Sequence, residues 1–135
     1  MPRRRAPLAV AAAVLLAVAL GGCSSGGVAS SPQDTRPVVA TLGPDGVQQV
    51  SIDGNDKLRF VPSVIQARTG RLAITLHNAG QTNHILGIDV LGADTGNVGG
   101  GSSKTVSFTV TTPGSYEFVC SYHRDAGMLG RLVVS

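Results

Sequence analysis

The sequence predicts an all-β domain, either a sandwich or a barrel. Its Gly, Pro, Ser and Thr residues, among them 18 Gly, are scattered between short apolar runs, which is typical of many short strands joined by turns. Several of these runs alternate apolar and polar side chains, as half-buried strands do. After the N-terminus, no amphipathic stretch long enough for a useful helix appears. A length of 135 residues suits one domain with a short appendage.

The strands are predicted where alternating or apolar runs lie between turn signals such as Gly43-Pro44-Asp45-Gly46. The alternation places His84 and Cys120 on the inward faces of their strands, each at a strand end, and His77 on an outward face. Residues 92–103 are expected to form a Gly-rich connection with little core content. The predicted strands are 38–42, 47–52, 71–77, 84–90, 104–110, 115–120 and 131–135.

The N-terminus is interpreted as a signal peptide, residues 1–22. Three Arg residues precede an apolar run, residues 7–20, which is shorter than the roughly 20 residues of a membrane-spanning helix. Leu20-Gly21-Gly22-Cys23 then resembles the lipobox of bacterial lipoproteins, in which the Cys is lipidated and becomes the new N-terminus. The alternative is an ordinary secretory signal cut after residues 17–19. Residues 23–37 are predicted to be the lipidated Cys and a flexible linker, and 38–135 the domain.

Charge gives no support for nucleic-acid binding. The formal net charge of +3 comes from 11 basic and 8 acidic side chains. Removal of three Arg with the signal leaves eight basic residues, which the eight acidic ones balance. The basic character of the whole sequence therefore belongs to the targeting segment.

Cysteine content points to a special role for Cys120. The chain has two Cys, at positions 23 and 120, so acylation of Cys23 excludes an intramolecular disulfide. A lone thiol in an exported, oxidising setting is a liability unless it is buried or ligates a metal.

A short loop supplies a thiolate, an imidazole and a thioether. Cys120, His123 and Met128 follow the spacing C-x2-H-x4-M. Soft sulfur ligands select copper, zinc or iron–sulfur clusters, and imidazole suits copper and zinc. Two His and one Cys with a weak axial Met form the blue-copper arrangement. His84 is the inward-facing candidate for the remaining His, and the site would have no position left for a substrate.

Three stretches carry a family resemblance. Residues 115–134 resemble the copper loop and last strand of plastocyanin-like cupredoxins. Residues 60–70 resemble the strand that precedes the first ligand in many cupredoxins, and 78–84 resemble the stretch that ends in the first copper His of plastocyanin. The resemblance covers about residues 58–135, in matching order and spacing.

This resemblance implies a Greek-key β-sandwich with one type 1 copper, held by His84, Cys120, His123 and Met128. It also implies that electrons leave through the exposed edge of His123. A surrounding apolar patch would dock the redox partner, with Gly80, Ala126, Gly127 and Leu129 as candidates.

Two positions depart from the family pattern. Many cupredoxins have an Asn after the first His, which ties the two ligand loops together, whereas this chain has Ile85. Plant plastocyanins have a Tyr before the Cys, used in one docking route, whereas this chain has Val119. That route and its partner are therefore not assumed.

The predicted function is that of a mobile carrier of single electrons by Cu(I)/Cu(II) cycling, and not an enzyme. We expect a monomer held by its lipid on the extracytoplasmic face of a bacterial cytoplasmic membrane, where redox proteins dock near His123. The alternative is a copper-handling protein, a chaperone or buffer that delivers copper to a cuproenzyme. With only three His, the chain lacks the further His clusters of multicopper enzymes.

Overall fold

A computed structural model describes residues 33–135. Within this range the chain forms eleven strands and a single 3-10 turn, Asp89–Leu91. The strands are β1 (Pro37–Val39), β2 (Thr41–Leu42), β3 (Gln48–Asn55), β4 (Arg59–Val61), β5 (Val64–Ala67), β6 (Gly70–Asn78), β7 (Gly87–Ile88), β8 (Ala93–Asp94), β9 (Ser103–Val110), β10 (Gly114–Val119) and β11 (Leu129–Val134).

The strands form two mixed sheets. One has the order β1-β5-β11-β10-β7-β8, and the other has the order β2-β3-β6-β9, with β4 paired to β3. The pairs β1–β5, β5–β11 and β3–β6 are parallel and the rest are antiparallel. A parallel pair cannot be joined by a tight turn, so the chain crosses between the sheets as a sandwich requires. The prediction of an all-β, cupredoxin-like sandwich is confirmed.

The core lies between the two sheets. Alternation buries every second residue of β3, from Gln48 to Gly54, and of β6, from Leu72 to Asn78. Phe60 from one sheet packs edge-on against Phe118 from the other, with ring centroids 5.2 Å apart. Both rings are fully buried. Such an aromatic pair adds about 0.5–1.5 kcal/mol beyond the area that it buries.

One end of the sandwich collects the residues singled out from the sequence. Strands β3, β6 and β10 all end there, at Asn55, Asn78 and Val119, and β11 begins there at Leu129. The loop 120–128 closes this end between β10 and β11. The turn 68–69 and the C-terminus lie at the other end, where Thr69 N–H donates to the Ser135 carbonyl at 3.0 Å.

The predicted strand 84–90 is wrong in most of its length. Only Gly87–Ile88 is a strand, and His84 makes an isolated bridge to Val98. Val90, expected inside, is 76% exposed because the chain turns through Asp89–Leu91, and Gly92 ends the turn at φ 61°. The alternation of apolar and polar residues continues by coincidence through this turn, so it indicates a strand where none forms.

The predicted connection 92–103 holds more core than expected. It contains β8, and Ala93 and Val98 are buried against the main core. Val98 exchanges two backbone hydrogen bonds with His84, of 3.1 and 2.8 Å. The connection therefore supports the segment that carries His84.

The predicted signal peptide, Cys23 and residues 24–32 of the predicted linker lie outside the described residues. Of the rest of that linker, Gln33 and Asp34 make hydrogen bonds to the domain. The Asp34 carbonyl accepts the Ser63 backbone N–H at 2.9 Å, and Gln33 Nε2 donates to the Leu129 carbonyl at 2.6 Å. Among residues 33–135, no helix has the length and apolar character needed to cross a membrane.

Candidate metal centre

The thiol of Cys120 lies between two imidazole rings. Its Sγ is 3.4 Å from Nδ1 of His123 and 4.0 Å from Nδ1 of His84. One ligand atom from each of the three residues lies within 4.8 Å of the others. His84 and Cys120 are fully buried, whereas His123 is partly exposed. The structure thus brings together three residues from two segments that are 36 positions apart.

Met128 adjoins this group. Its side chain is fully buried, and its Cε and the ring of His84 both face the Cα of Gly54: a Cβ built there would lie 3.3 Å from Met128 Cε and 3.0 Å from His84 Cδ2. The four predicted ligands therefore occupy one end of the core. Their role as ligands stays a prediction.

Backbone hydrogen bonds fold the loop 120–128 back on itself. His123 N–H donates to the Cys120 carbonyl at 3.0 Å, and Met128 N–H donates to the His123 carbonyl at 3.1 Å. Cys120 N–H in turn donates to the Met128 carbonyl at 3.0 Å, which closes the loop. Gly127 has φ 76°, a conformation that glycine adopts without strain. The spacing C-x2-H-x4-M is thus the length of one compact loop.

Two residues that sequence reasoning missed brace the loop before His84. Asn78 is fully buried; its Nδ2 donates to the carbonyls of Thr82 and Val98 at 2.8 and 2.9 Å, and its Oδ1 accepts the Gly80 N–H at 3.0 Å. Asp56 Oδ1 accepts the N–H groups of Gln81 and Thr82 at 2.8 and 2.9 Å. Nothing in the sequence near Asp56 indicates this role, because its partners lie some 25 residues away along the chain.

The environment of His84 favours its neutral form. Burial lowers the pKa of His84 below its ordinary value, and the nearby His123 ring lowers it further. The backbone of Asn55 and the carboxylate of Asp56 oppose this shift by less than burial and His123 favour it, and the buried Nε2 makes no hydrogen bond of normal geometry with the described residues. A neutral imidazole is the form that binds metal. Buried soft and borderline donors that converge in this way fit copper.

The surroundings of His123 differ in part from the docking patch predicted from the sequence. Ala126 is exposed and Gly127 and Leu129 are partly exposed, but Gly80 is buried against Asp56 and offers no surface. Tyr122, which was not predicted, is 57% exposed and packs edge-on to the His123 ring.

Comparison with known proteins decides the family. The protein-family model that describes the cupredoxin-like domain matches residues 12–134 of this chain. This chain belongs to the cupredoxin family. The predictions of a plastocyanin-like cupredoxin and of copper as the cofactor are thereby confirmed. Proteins of this family transfer single electrons through copper.

Plastocyanins are among its curated relatives. The cupredoxin is 34% identical over 94 residues to the plastocyanin minor isoform of Arabidopsis thaliana. The aligned region covers 62% of this chain and 54% of the relative. It is 28% identical over 92 residues to the major isoform of that plant, and the aligned region covers 61% of this chain and 55% of the relative. The chain thus spans a little more than half the length of these relatives.

Solved structures agree with the fold. The metal-binding domain of the Cu(I)-exporting P-type ATPase CopA of Streptococcus pneumoniae, crystallised with Cu(I), is 26% identical, with a TM-score of 0.65, and the match covers 75% of this chain and 97% of that domain. Dithionite-reduced auracyanin from Roseiflexus castenholzii shares the fold at 22% identity and a TM-score of 0.58, covering 71% of this chain and 98% of auracyanin.

Proposed function

We propose that this cupredoxin is an electron carrier whose copper is held by His84, Cys120, His123 and Met128. The observation that carries the proposal is the placement of Cys120 Sγ between two Nδ1 atoms, 3.4 and 4.0 Å away. When bound, copper supplies the one-electron couple between Cu(I) and Cu(II). With four protein donors no position is left for a substrate, whereas a catalytic metal site keeps one open. The proposal therefore excludes an enzyme.

The protein frame suits a site that must change little between oxidation states. The loop 120–128 is closed by its own hydrogen bonds, and the segment before His84 is braced by Asn78 and Asp56. Donors that are fixed before the metal binds keep their positions when its charge changes. Of the four side chains, only that of His123 is partly exposed. It therefore offers a route for electrons to a docked protein.

Electron exchange with a small outer-sphere oxidant, followed by stopped flow after copper loading, tests the carrier role. His123→Ala is expected to lose fast exchange. His77→Ala is the matched control, because His77 lies on the outer face of β6 and pairs with Asp53 at 3.0 Å. Equal rates in the two variants would contradict the proposal.

A copper-handling role is the second candidate, and one observation favours it. The structural neighbour with a TM-score of 0.65 is the metal-binding domain of a Cu(I)-exporting ATPase. Competition with a Cu(I) chelator separates the candidates. A carrier retains its copper through many redox cycles. A copper-handling protein instead releases Cu(I) to the chelator faster than it exchanges electrons.

We further propose that a lipid on Cys23 holds the protein, as a monomer, on the extracytoplasmic face of a bacterial cytoplasmic membrane. The support is the order of a basic start, a short apolar run and a Cys behind two small residues. Two-dimensional diffusion would then suit redox partners in the same membrane. Cys23→Ala is expected to move the protein from the membrane fraction to the soluble one. Unchanged fractionation would contradict lipid anchoring.

A further inference from the structure

We infer that Gly54 is a positioning residue of the metal centre, since its lack of a side chain lets the His84 ring and the Met128 methyl lie side by side. This inference rests on the proposed copper site. A Cβ on Gly54 would lie 3.0 Å from His84 Cδ2, 3.3 Å from His84 Cγ and 3.3 Å from Met128 Cε. Carbon atoms in favourable contact are about 3.5–4.0 Å apart, so an added methyl group would displace at least one of these side chains.

Space, and not backbone conformation, explains glycine at this position. Gly54 does not belong to the glycines with positive φ. It lies in regular register in β3, opposite Phe60 of β4 and Asn78 of β6. Glycine inside a strand costs stability and often marks a close approach by another group. Here the approaching groups are the two candidate ligands.

The backbone at Gly54 has little freedom to move away from an added methyl group. Its strand is paired on both sides, and the Gly54 carbonyl accepts the Ala79 N–H at 2.8 Å. His84 is held by its two backbone bonds to Val98. The Met128 side chain has three rotatable bonds and adapts most easily. Gly54 thus sets how closely the thioether can lie to the imidazole and thiol donors.

The test compares Gly54→Ala with Gly114→Ala in the full chain, purified in detergent. Gly114 is a matched control, because it is also a strand glycine without positive φ, and the atom nearest to a Cβ there would be Tyr116 Cε2, at an ordinary contact distance of 3.7 Å. The first readout is the methyl NMR signal of Met128 in metal-free protein labelled at the Met methyl carbons. The chain has two Met, and Met128→Leu assigns the signal.

We expect Gly54→Ala to shift the Met128 methyl signal and Gly114→Ala to leave it in place. After copper loading, Gly54→Ala is expected to change the electron paramagnetic resonance spectrum and the relative intensities of the thiolate–copper bands. A Gly54→Ala protein with the methyl signal and both spectra of the control would overturn the inference. That result would leave the proposed function standing, because absence of a thiolate–copper band in the unmodified protein is what would overturn the function.

A double-mutant cycle covers poor folding of Gly54→Ala. Met128→Ala removes the methyl group that the new side chain would meet. We expect Gly54→Ala to lower the midpoint of thermal unfolding by less in the Met128→Ala background than in the unmodified protein. Equal losses in both backgrounds would show that the added methyl group does not meet Met128, and would overturn the inference that Gly54 lets the thioether lie beside the His84 ring.

Discussion

The backbone N–H of Ile85 donates a hydrogen bond to Sγ of Cys120, at 3.4 Å. It joins the residue after one candidate ligand to the sulfur of another, 35 positions away. Position 85 is one of the two departures from the family pattern, because many cupredoxins have an Asn in place of Ile85. The bond comes from the main chain and so does not depend on the side chain. The side-chain hydrogen bonds by which that Asn links the two ligand loops are therefore absent here, whereas the main-chain bond to the sulfur is present.

This bond is expected to raise the reduction potential. An N–H dipole directed at the thiolate withdraws charge from sulfur, which favours the reduced site, and hydrogen bonds to ligand sulfur tune the potential in this way. Ile85→Pro removes the N–H and should lower the potential, measured by spectroelectrochemical titration. Ile85→Ala keeps the N–H and serves as the control. A potential in Ile85→Pro that equals that of Ile85→Ala would refute a role for the bond.

Asp56 is expected to stabilise the metal-free protein in a pH-dependent way. Hydrogen bonds from the backbone N–H groups of Thr82 and Gln81 lower the pKa of Asp56 below its ordinary value of 3.8. A carboxyl with a depressed pKa in the folded state contributes stability that is complete above its unfolded pKa and is lost as the pH falls through the folded value. Asp56→Ala should therefore destabilise at neutral pH and converge with the unmodified protein in acid.

Urea unfolding from pH 7 down to below pH 4 measures this convergence. Asp56→Asn is the matched variant, since it keeps an acceptor oxygen and removes the charge. Its stability should vary less with pH than that of the unmodified protein. A destabilisation by Asp56→Ala that is constant across the range would mean that the carboxylate form is not what holds the loop.

Much of the fold was predictable because local pattern and final structure agree. Alternation in 71–77 and 104–110 identified strands that pair along nearly their whole length. The segment 84–90 failed because its pattern continues across a turn at Asp89–Leu91. Nothing local marked Val98 as core either, since it is buried through its pairing with His84.

The candidate ligands were predictable for a different reason. Three of them lie within nine residues on one loop, so their spacing is visible in the sequence. The residues that hold these ligands in place could not be predicted in this way. Asp56, Asn78 and Gly54 act on segments that only the folded sheet brings together, and each is an ordinary turn or strand residue in the sequence.

Gly130 is required for packing between β11 and β10. A Cβ there would overlap the ring of Phe118 and lie 2.6 Å from the Ser63 carbonyl. Overpacking of this kind costs about 1–3 kcal/mol or more. Gly130→Ala should lower the free energy of unfolding of the metal-free protein by at least that much in urea titration. Gly114→Ala, whose Cβ has ordinary contacts, should change it little, and equal stability of the two variants would contradict the packing account.

Arg124 links the loop 120–128 to the turn that follows β7. Its guanidinium lies 2.8 Å from Asp89 and 3.8 Å from Glu117. Because the side chains of Arg124 and Asp89 are 50% and 73% exposed, the pair should contribute only about 0.2–1 kcal/mol. Arg124→Ala should destabilise by that amount at low salt and by less at 1 M NaCl. Arg71→Ala, an exposed arginine without a salt bridge within residues 33–135, is the control. A loss that does not change with salt would argue against the ion pair.

The visible absorption spectrum during titration with Cu(II) tests the central claim most directly. We expect an intense blue thiolate-to-copper charge-transfer band that saturates at one copper per chain and is bleached by ascorbate. Cys120→Ser should abolish the band, and His77→Ala should retain it. A protein that binds the metal without colour, or a Cys120→Ser variant that stays blue, would contradict a thiolate–copper site at Cys120 and the electron-carrier function built on it.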